Sequence, residues 1–225
     1  MRRGLLYFCM ILISMIFMNL VEPLDRLISE WLRLHSLPVF ADIMDRSIFE
    51  GEGLGAGDFA IFLQVAGLLL WLGSFLSVAP QQLRRWRAAL GYILATSILT
   101  ALWVHLFKGV VARPRPYELA TSVSSWDGWN ERLLQGWGRG SFPSGHTANA
   151  ISLLTFCYAS YAMGFKKLPW IGGILVMLLT FGMAVSRIMI GAHWPTDTLA
   201  SVALGWGIAH LRFRNWNTSM EPKDC

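Results

Sequence analysis

The chain has 225 residues, of which 54% are hydrophobic and only 15% are charged. The hydrophobic residues form uninterrupted runs of about 20 residues, the length that a helix needs to cross a bilayer, and this excludes a water-soluble globular protein. The formal net charge of +5 comes mainly from basic loops beside these runs, which is a signal of membrane topology and not of a nucleic-acid partner.

In chain order, the runs predict an all-α, polytopic membrane protein with six transmembrane helices in a bundle. No linker, internal repeat or low-complexity tract separates them, so residues 1–225 are expected to form a single membrane domain. The first run also resembles a signal peptide, but no small-x-small cleavage site follows it, and a retained span is expected. The predicted spans are residues 5–21, 59–79, 88–107, 144–164, 168–186 and 196–213.

The short connections between the predicted spans are basic, and positive charges near span ends tend to stay cytoplasmic. We therefore expect both termini to be cytoplasmic and the two long loops to lie on the periplasmic or extracellular face. The compact chain has no glycosylation-rich ectodomain, which indicates the cytoplasmic (inner) membrane of a bacterium. The basic residues on the cytoplasmic side are Arg2, Arg3, Arg84, Arg85, Arg87, Lys166, Lys167, Arg212, Arg214 and Lys223.

The two long loops have different characters. In the first, "LDRLISEWLRL" at residues 24–34 has apolar residues at helical spacing and Asp25 and Ser29 on the opposite, polar face. It predicts an amphipathic helix, either lying flat in the membrane interface or packed on the end of the bundle. The second loop, residues 108–142, carries three tryptophans and is expected to follow the membrane surface.

Three polar clusters fall at span ends on the face opposite the basic loops: "KGVVARPRP" from Lys108, "PSGH" from Pro143 and "SRIMIGAHWPTD" from Ser186. Charges at a membrane edge are costly and usually mark function. The cations Lys108, Arg115 and Arg187 suit phosphate oxygens. Ser144 and Gly145 begin a helix, whose unpaired N–H groups attract anions. The clusters together predict a polyanion site.

Two histidines complete the predicted site. Asp197 follows His193 by four residues, a spacing that can bring the carboxylate to the imidazole, fix its tautomer and prepare a nucleophile. His146 has no carboxylate close in sequence and is a candidate proton donor to a leaving oxygen. Alone, "PSGH" could be a helix cap with Ser144 as N-cap, and a single histidine could be a surface residue.

A metal site built from His146, His193 and Asp197 is the other interpretation of these residues. Lys108, Arg115 and Arg187 argue against it, because three fixed cations repel a divalent ion. The sequence therefore predicts neither a metal nor another cofactor.

The three clusters resemble the signature motifs of the type 2 phosphatidic acid phosphatase superfamily. Residues 108–116 fit K-x6-R-P, residues 143–146 fit P-S-G-H and residues 186–197 fit S-R-x5-H-x3-D. The resemblance implies a metal-independent phosphatase with His193 as the nucleophile that forms a phosphohistidine, oriented by Asp197, and His146 as the acid. It implies a phosphate cradle of Lys108, Arg115, Ser144, Gly145 and Arg187.

The expected activity is hydrolysis of a phosphomonoester or pyrophosphate on a membrane lipid, at an active site on one membrane face. Polyprenyl pyrophosphate, phosphatidylglycerol phosphate, phosphatidic acid and lipid A phosphates all remain candidate substrates. The same residues would serve a lipid phosphotransferase, and a water-soluble phosphate ester is a further alternative. A non-catalytic transport or lipid-binding protein is disfavoured because both histidines and Asp197 are present.

Overall fold

The computed structural model describes residues 20–46, 55–119 and 140–220, and all regular structure within these ranges is helical. The predicted all-α class is therefore confirmed for the described residues. The helices are α1 (residues 20–34), α2 (Pro38–Asp45), α3 (Ala56–Gly73), α4 (Gln81–Val111), α5 (Gly145–Ser152), α6 (Leu154–Ala162), α7 (Leu168–Met189) and α8 (Pro195–Met220), with a short 3-10 helix at Pro116–Leu119.

Among the described residues, three helices are long and apolar enough to cross a membrane: α3, the helix that begins at Gln81, and α7. They coincide with the predicted spans at 59–79, 88–107 and 168–186. The predicted span at 196–213 lies within α8, whereas the span at 5–21 falls almost entirely outside the described residues. The full count of six spans stays a prediction.

The predicted span at 144–164 is divided into α5 and α6, which meet at Leu153. At this point Leu153 N donates to Ala150 O and Phe156 N donates to Leu153 O. These bonds reach back three residues, as in a 3-10 helix, whereas those of a regular α-helix reach back four. The hydroxyls of Ser152 and Thr155 also donate to carbonyls three residues earlier in the chain. Such side-chain bonds compete with the helical backbone pattern and bend the chain.

The predicted amphipathic helix is present as α1. It buries its polar face against the rest of the protein and exposes its apolar face. Asp25 is only 2% exposed, while Leu27 is 64% exposed and Trp31 is 57% exposed. The helix therefore packs on the bundle through its polar face and not through its apolar face. The polar face turns inward because Asp25 is paired there with Arg113, and the apolar face is left exposed.

Helix α5 lies among α4, α7 and α8, so the start of α5 is held at the end of the bundle. Its closest neighbour is α8, where a Cβ on Gly205 would lie 2.4 Å from Ile151 Cγ2. Only glycine permits this approach of the two helix backbones without displacing a neighbour. The contact fixes the helix that bears His146 against the helix that bears Asp197.

Candidate active site

The structure brings the three sequence clusters together at one end of the bundle. Ser144 N donates to Asp197 O at 3.4 Å, which joins the start of α5 to the start of α8. Ser141 N donates to Arg113 O at 2.7 Å and so joins the segment before α5 to the segment after α4. These backbone contacts place the motif segments side by side, as the predicted topology requires.

His193 lies in the turn between α7 and α8 and is only 1% exposed. Its Nδ1 is 3.6 Å from Asp197 Oδ2, slightly beyond hydrogen-bond length. The same Oδ2 accepts a hydrogen bond from Trp194 N at 2.9 Å, which holds the carboxylate at the turn. The four-residue spacing thus produces the predicted approach of aspartate to imidazole, with Nδ1 as the ring atom that faces the carboxylate.

Burial lowers the pKa of His193 to about 4, and the nearby Asp197 opposes this shift without cancelling it. The cations Arg187 and Lys108 lower the pKa of His193 further. Because the folded-state pKa lies well below 7, the imidazole is neutral at physiological pH. A neutral ring with Nδ1 directed at a carboxylate has its lone pair at Nε2, the form that a nucleophile requires.

Asp197 is fixed by Arg113, a residue that the sequence did not single out. Arg113 is fully buried and its Nη1 donates to Asp197 Oδ1 at 2.8 Å. Its Nη2 donates to Asp25 Oδ2 at 2.9 Å. Thr196 N donates to Asp25 Oδ1 at 3.0 Å and closes the network around the start of α8. One buried cation therefore orients two buried carboxylates.

The structure also confirms the cap at Ser144, whose Oγ accepts from Thr147 N and from Thr147 Oγ1. A cap does not exclude an anion site, because the remaining N–H groups of the first turn stay available. Lys108 approaches this turn: a Cβ on Gly145 would lie 4.0 Å from Lys108 Nζ. The ammonium group and the start of α5 thus converge.

The other two predicted cations differ in their contacts. Arg187 is 4% exposed and forms an ion pair with Asp45 at the end of α2, a carboxylate that the sequence did not suggest. Its charge acts on both His146 and His193. Arg115 has its guanidinium carbon 5.8 Å from the Tyr117 ring centroid. Arg115 N donates to Glu118 Oε2 at 3.0 Å.

His146 lies on the first turn of α5, against the start of α3. A Cβ on Gly57 would lie 3.2 Å from His146 Nε2, so the imidazole packs on the backbone of α3. The next residue, Asp58, is fully buried, and its Oδ2 accepts from Gly55 N at 3.3 Å. The Asp58 charge acts on His146. Arg187, His193 and Lys108 act on His146 more strongly than Asp58 does.

Across the described part of the chain, no three His, Cys, Asp or Glu side chains are grouped as metal ligands. The residues present form a cationic site with two histidines. Such a donor set suits a phosphate group, whose oxygens accept from Lys, Arg and backbone N–H groups.

The chain is similar to known proteins in sequence and in fold. A family model described as the PAP2 superfamily matches residues 87–221. Two relatives are named lipid A 1-phosphatase. The one from Rhizobium etli is 26% identical to this chain over 183 residues, which cover 76% of this chain and 73% of the relative. The Porphyromonas gingivalis protein is 34% identical over 84 residues, covering 33% of this chain and 18% of the relative.

Two further likenesses concern phosphatidylglycerophosphate phosphatases. Phosphatidylglycerophosphatase B of Haemophilus influenzae is 36% identical over 80 residues, covering 32% of this chain and 31% of the relative. The match thus spans less than a third of the length of the Haemophilus and Porphyromonas relatives. The crystal structure of a transmembrane PAP2 type phosphatidylglycerolphosphate phosphatase from Bacillus subtilis has a TM-score of 0.62 and 21% identity, covering 98% of both chains. This likeness concerns the fold.

Proposed function

Since the chain belongs to the PAP2 superfamily, we propose that it is an integral membrane lipid phosphatase that works through a phosphohistidine at His193. The observation that carries the proposal is the buried His193–Asp197 pair beside His146 and the cations Lys108 and Arg187. The proposed location is the bacterial cytoplasmic membrane, with the active site on the periplasmic or extracellular face.

In the first step, His193 Nε2 attacks phosphorus and the bond from phosphorus to the lipid oxygen breaks. His146 gives a proton to that oxygen as it leaves, and the negative charge of the bound phosphate favours the protonated imidazole that this role requires. Asp197 stabilises the positive charge that develops on the His193 ring. The products of this step are the dephosphorylated lipid and a phosphorylated His193.

Negative charge on the equatorial phosphate oxygens is held by Lys108, Arg115, Arg187 and the N–H groups at Ser144 and Gly145. Arg187 has five N–H donors, so it can keep Asp45 and also bind a phosphate oxygen. These donors are held in place before the substrate arrives, and preorganised donors lower the barrier without a reorganisation cost.

In the second step, water attacks the phosphorylated His193. His146, which lost its proton in the first step, accepts one from the water. Inorganic phosphate leaves and both histidines return to their starting forms. No metal or other cofactor takes part in either step.

Asp58 carries a carboxylate charge that acts on His146, and removal of this charge predicts a dependence on the leaving group. Asp58→Asn keeps an oxygen to accept from Gly55 N but removes the charge near His146. We expect turnover of a lipid alkyl phosphate, whose alkoxide is a poor leaving group and needs the acid, to fall by about 10²-fold. Turnover of para-nitrophenyl phosphate, whose leaving group needs no proton, should fall far less. An equal loss for both substrates would show that Asp58 is only structural.

The proposed activity is tested by phosphate release from purified protein with a metal chelator present. The panel contains polyprenyl pyrophosphate, phosphatidylglycerol phosphate, phosphatidic acid and a lipid A phosphate. We expect release from at least one of them, unaffected by the chelator. Activity that a chelator abolishes and zinc restores would overturn the metal-free mechanism. Loss of lipid phosphate without release of inorganic phosphate, once an acceptor lipid is added, would instead identify a phosphotransferase.

A further inference from the structure

An apolar groove of about 860 Å³ lies among α6, α7 and α8. One side is the face of α6 that carries Leu154 and Tyr161. A second side is the stripe of α7 from Pro169 to Phe181, and the third is Trp206 and Phe213 of α8. None of the residues assigned to the proposed phosphate site lines this groove. The groove is therefore a second concave surface of the protein, separate from that site.

Two neighbouring glycines of α7 show how the groove forms. A Cβ on Gly172 would lie 3.1 Å from Cys157 Sγ, so α6 and α7 are in close contact there. A Cβ on Gly173, which lines the groove, would meet no packed neighbour within 4 Å. The helices thus pack tightly on one side of this glycine pair and leave unfilled space on the other.

The groove spans the half of the bundle that lies away from the proposed phosphate site. Helix α7 begins beside Lys167 and carries Arg187 near its other end, and the groove follows the first part of this helix, from Pro169 to Phe181. These residues cover about 18 Å along the helix axis, against about 15 Å for one leaflet of a hydrocarbon core that is about 30 Å thick. The groove therefore has the length of an acyl chain in one leaflet, with its head group at the start of α7.

Positive charge stands at the head-group end of the groove. Lys166 and Lys167 directly precede α7, and both are exposed. Trp170 and Tyr161 line this end of the groove and are exposed, and these residue types favour the depth of lipid head groups. The described residues that line the groove include no charged side chain. The two lysines are therefore placed to meet the head group of a lipid whose chain lies in the groove.

The described acidic residues lie away from these lysines. They belong to α1, α2, the start of α3, the 3-10 helix and the start of α8. These segments form the end of the bundle that holds the proposed phosphate site. Lysines beside a membrane surface attract anionic lipids, so the charge at this end of the groove favours an anionic head group.

We propose that the groove binds an acyl chain of an anionic phospholipid whose phosphate lies against Lys166 and Lys167. This lipid is a ligand and not the substrate, because it lies at the end of the bundle opposite His193. The inference therefore does not depend on the proposed function. The lipid contacts α6, α7 and α8 together only in the folded protein, and a ligand that binds the folded state alone stabilises it.

The test is native mass spectrometry of the full chain in detergent, titrated with dioleoylphosphatidylglycerol or with dioleoylphosphatidylcholine, which has the same chains and no net charge. Both lipids are phosphodiesters, so the proposed reaction does not consume them, and excess orthovanadate occupies the proposed phosphate site throughout. We expect the wild type to bind the anionic lipid with a Kd at least about tenfold lower than that of the zwitterionic lipid, because each lysine beside a membrane surface contributes to anionic binding.

Lys166→Gln combined with Lys167→Gln should raise the Kd of the anionic lipid to that of the zwitterionic lipid. The matched control is Arg84→Gln with Arg85→Gln, which removes two charges at the same end of the bundle but outside the groove. This control should keep the wild-type preference. Thermal unfolding in detergent reports whether each variant is folded, and the anionic lipid should raise the Tm of the wild type and of this control but not of the lysine variant.

Gly173→Leu places a side chain in the groove and should raise the Kd of both lipids by at least about tenfold. The matched control is Gly207→Leu on α8, since a Cβ there also meets no packed neighbour within 4 Å but does not line the groove. Leucine favours a helix more than glycine does, so both variants are expected to fold.

Equal affinity of the wild type for the two lipids would overturn the inference, as would equal binding by Gly173→Leu and Gly207→Leu. Two other occupants of the groove give distinct results that would also overturn it. Mild oxidation that joins Cys9, in the predicted span 5–21, to Cys157 would place that span in the groove. A dimer that survives added lipid and is abolished by Gly173→Leu would place a second copy of the chain there. Phosphate release tests the proposed function separately.

Discussion

Replacing His193 with glutamine is expected to lower phosphate release by at least about 10⁴-fold, because the nucleophile that forms the covalent intermediate is lost. Glutamine retains an amide near Asp197 but cannot attack phosphorus. The measurement is steady-state phosphate release, together with alkaline quenching of enzyme incubated with radiolabelled substrate. The wild type should retain an acid-labile, alkali-stable label, as expected for a phosphorylated histidine, and His193→Gln should retain none.

The matched control is His146→Gln, since the second histidine has a different role. With para-nitrophenyl phosphate, whose leaving group needs no acid, this variant should still become labelled. The label should persist longer than in the wild type because the base for the second step is missing. Labelling of His193→Gln, or turnover within about tenfold of wild type, would exclude His193 as the nucleophile.

Replacing Arg113 with methionine is expected to destabilise the protein by about 3–5 kcal/mol, because it leaves two buried carboxylates without their cation. Asp25 and Asp197 are 2% and 0% exposed and both accept from the Arg113 guanidinium. Activity should fall as well, since Asp197 loses the bond that fixes its Oδ1. Thermal unfolding in detergent, followed by intrinsic tryptophan fluorescence, gives the stability change.

Two controls separate loss of this network from loss of any arginine. Arg46→Met breaks an exposed pair with Asp42 on α2, and an exposed pair contributes at most about 1 kcal/mol. Adding Asp25→Asn to Arg113→Met removes one uncompensated charge and should restore part of the lost stability. Equal destabilisation by Arg46→Met and Arg113→Met, or no recovery in the double variant, would contradict the assigned role of Arg113.

Asp25 also explains the orientation of α1. Amphipathic spacing correctly predicted the helix but assigned Asp25 to the exposed face. The rule that polar residues face outward assumes that water is the surroundings. Beside a bilayer the exposed face can be apolar, and Asp25 turns inward to Arg113. The amphipathic pattern located the helix, whereas the ion pair of Asp25 with Arg113 determined which face is buried.

The sequence by itself determined the all-helical class, three spans of sufficient length and apolarity, and the local pair of His193 and Asp197. Each follows from interactions over short separations: runs of apolar residues set the spans, and one helical turn brings residue i+4 back to residue i. The motif spacing also identified Lys108, Ser144, Gly145 and Arg187, which the structure places at the same end of the bundle.

The tertiary structure alone decided the partners of these residues. Asp25 and Arg113 are 88 positions apart, and the charge of Asp58 on α3 acts on His146 of α5. No local spacing encodes such contacts, because they depend on how the helices pack. Asp45 likewise reaches Arg187 only because α2 lies on α7. Burial then makes these pairings necessary, since a charge removed from water requires a partner wherever the chain can supply one.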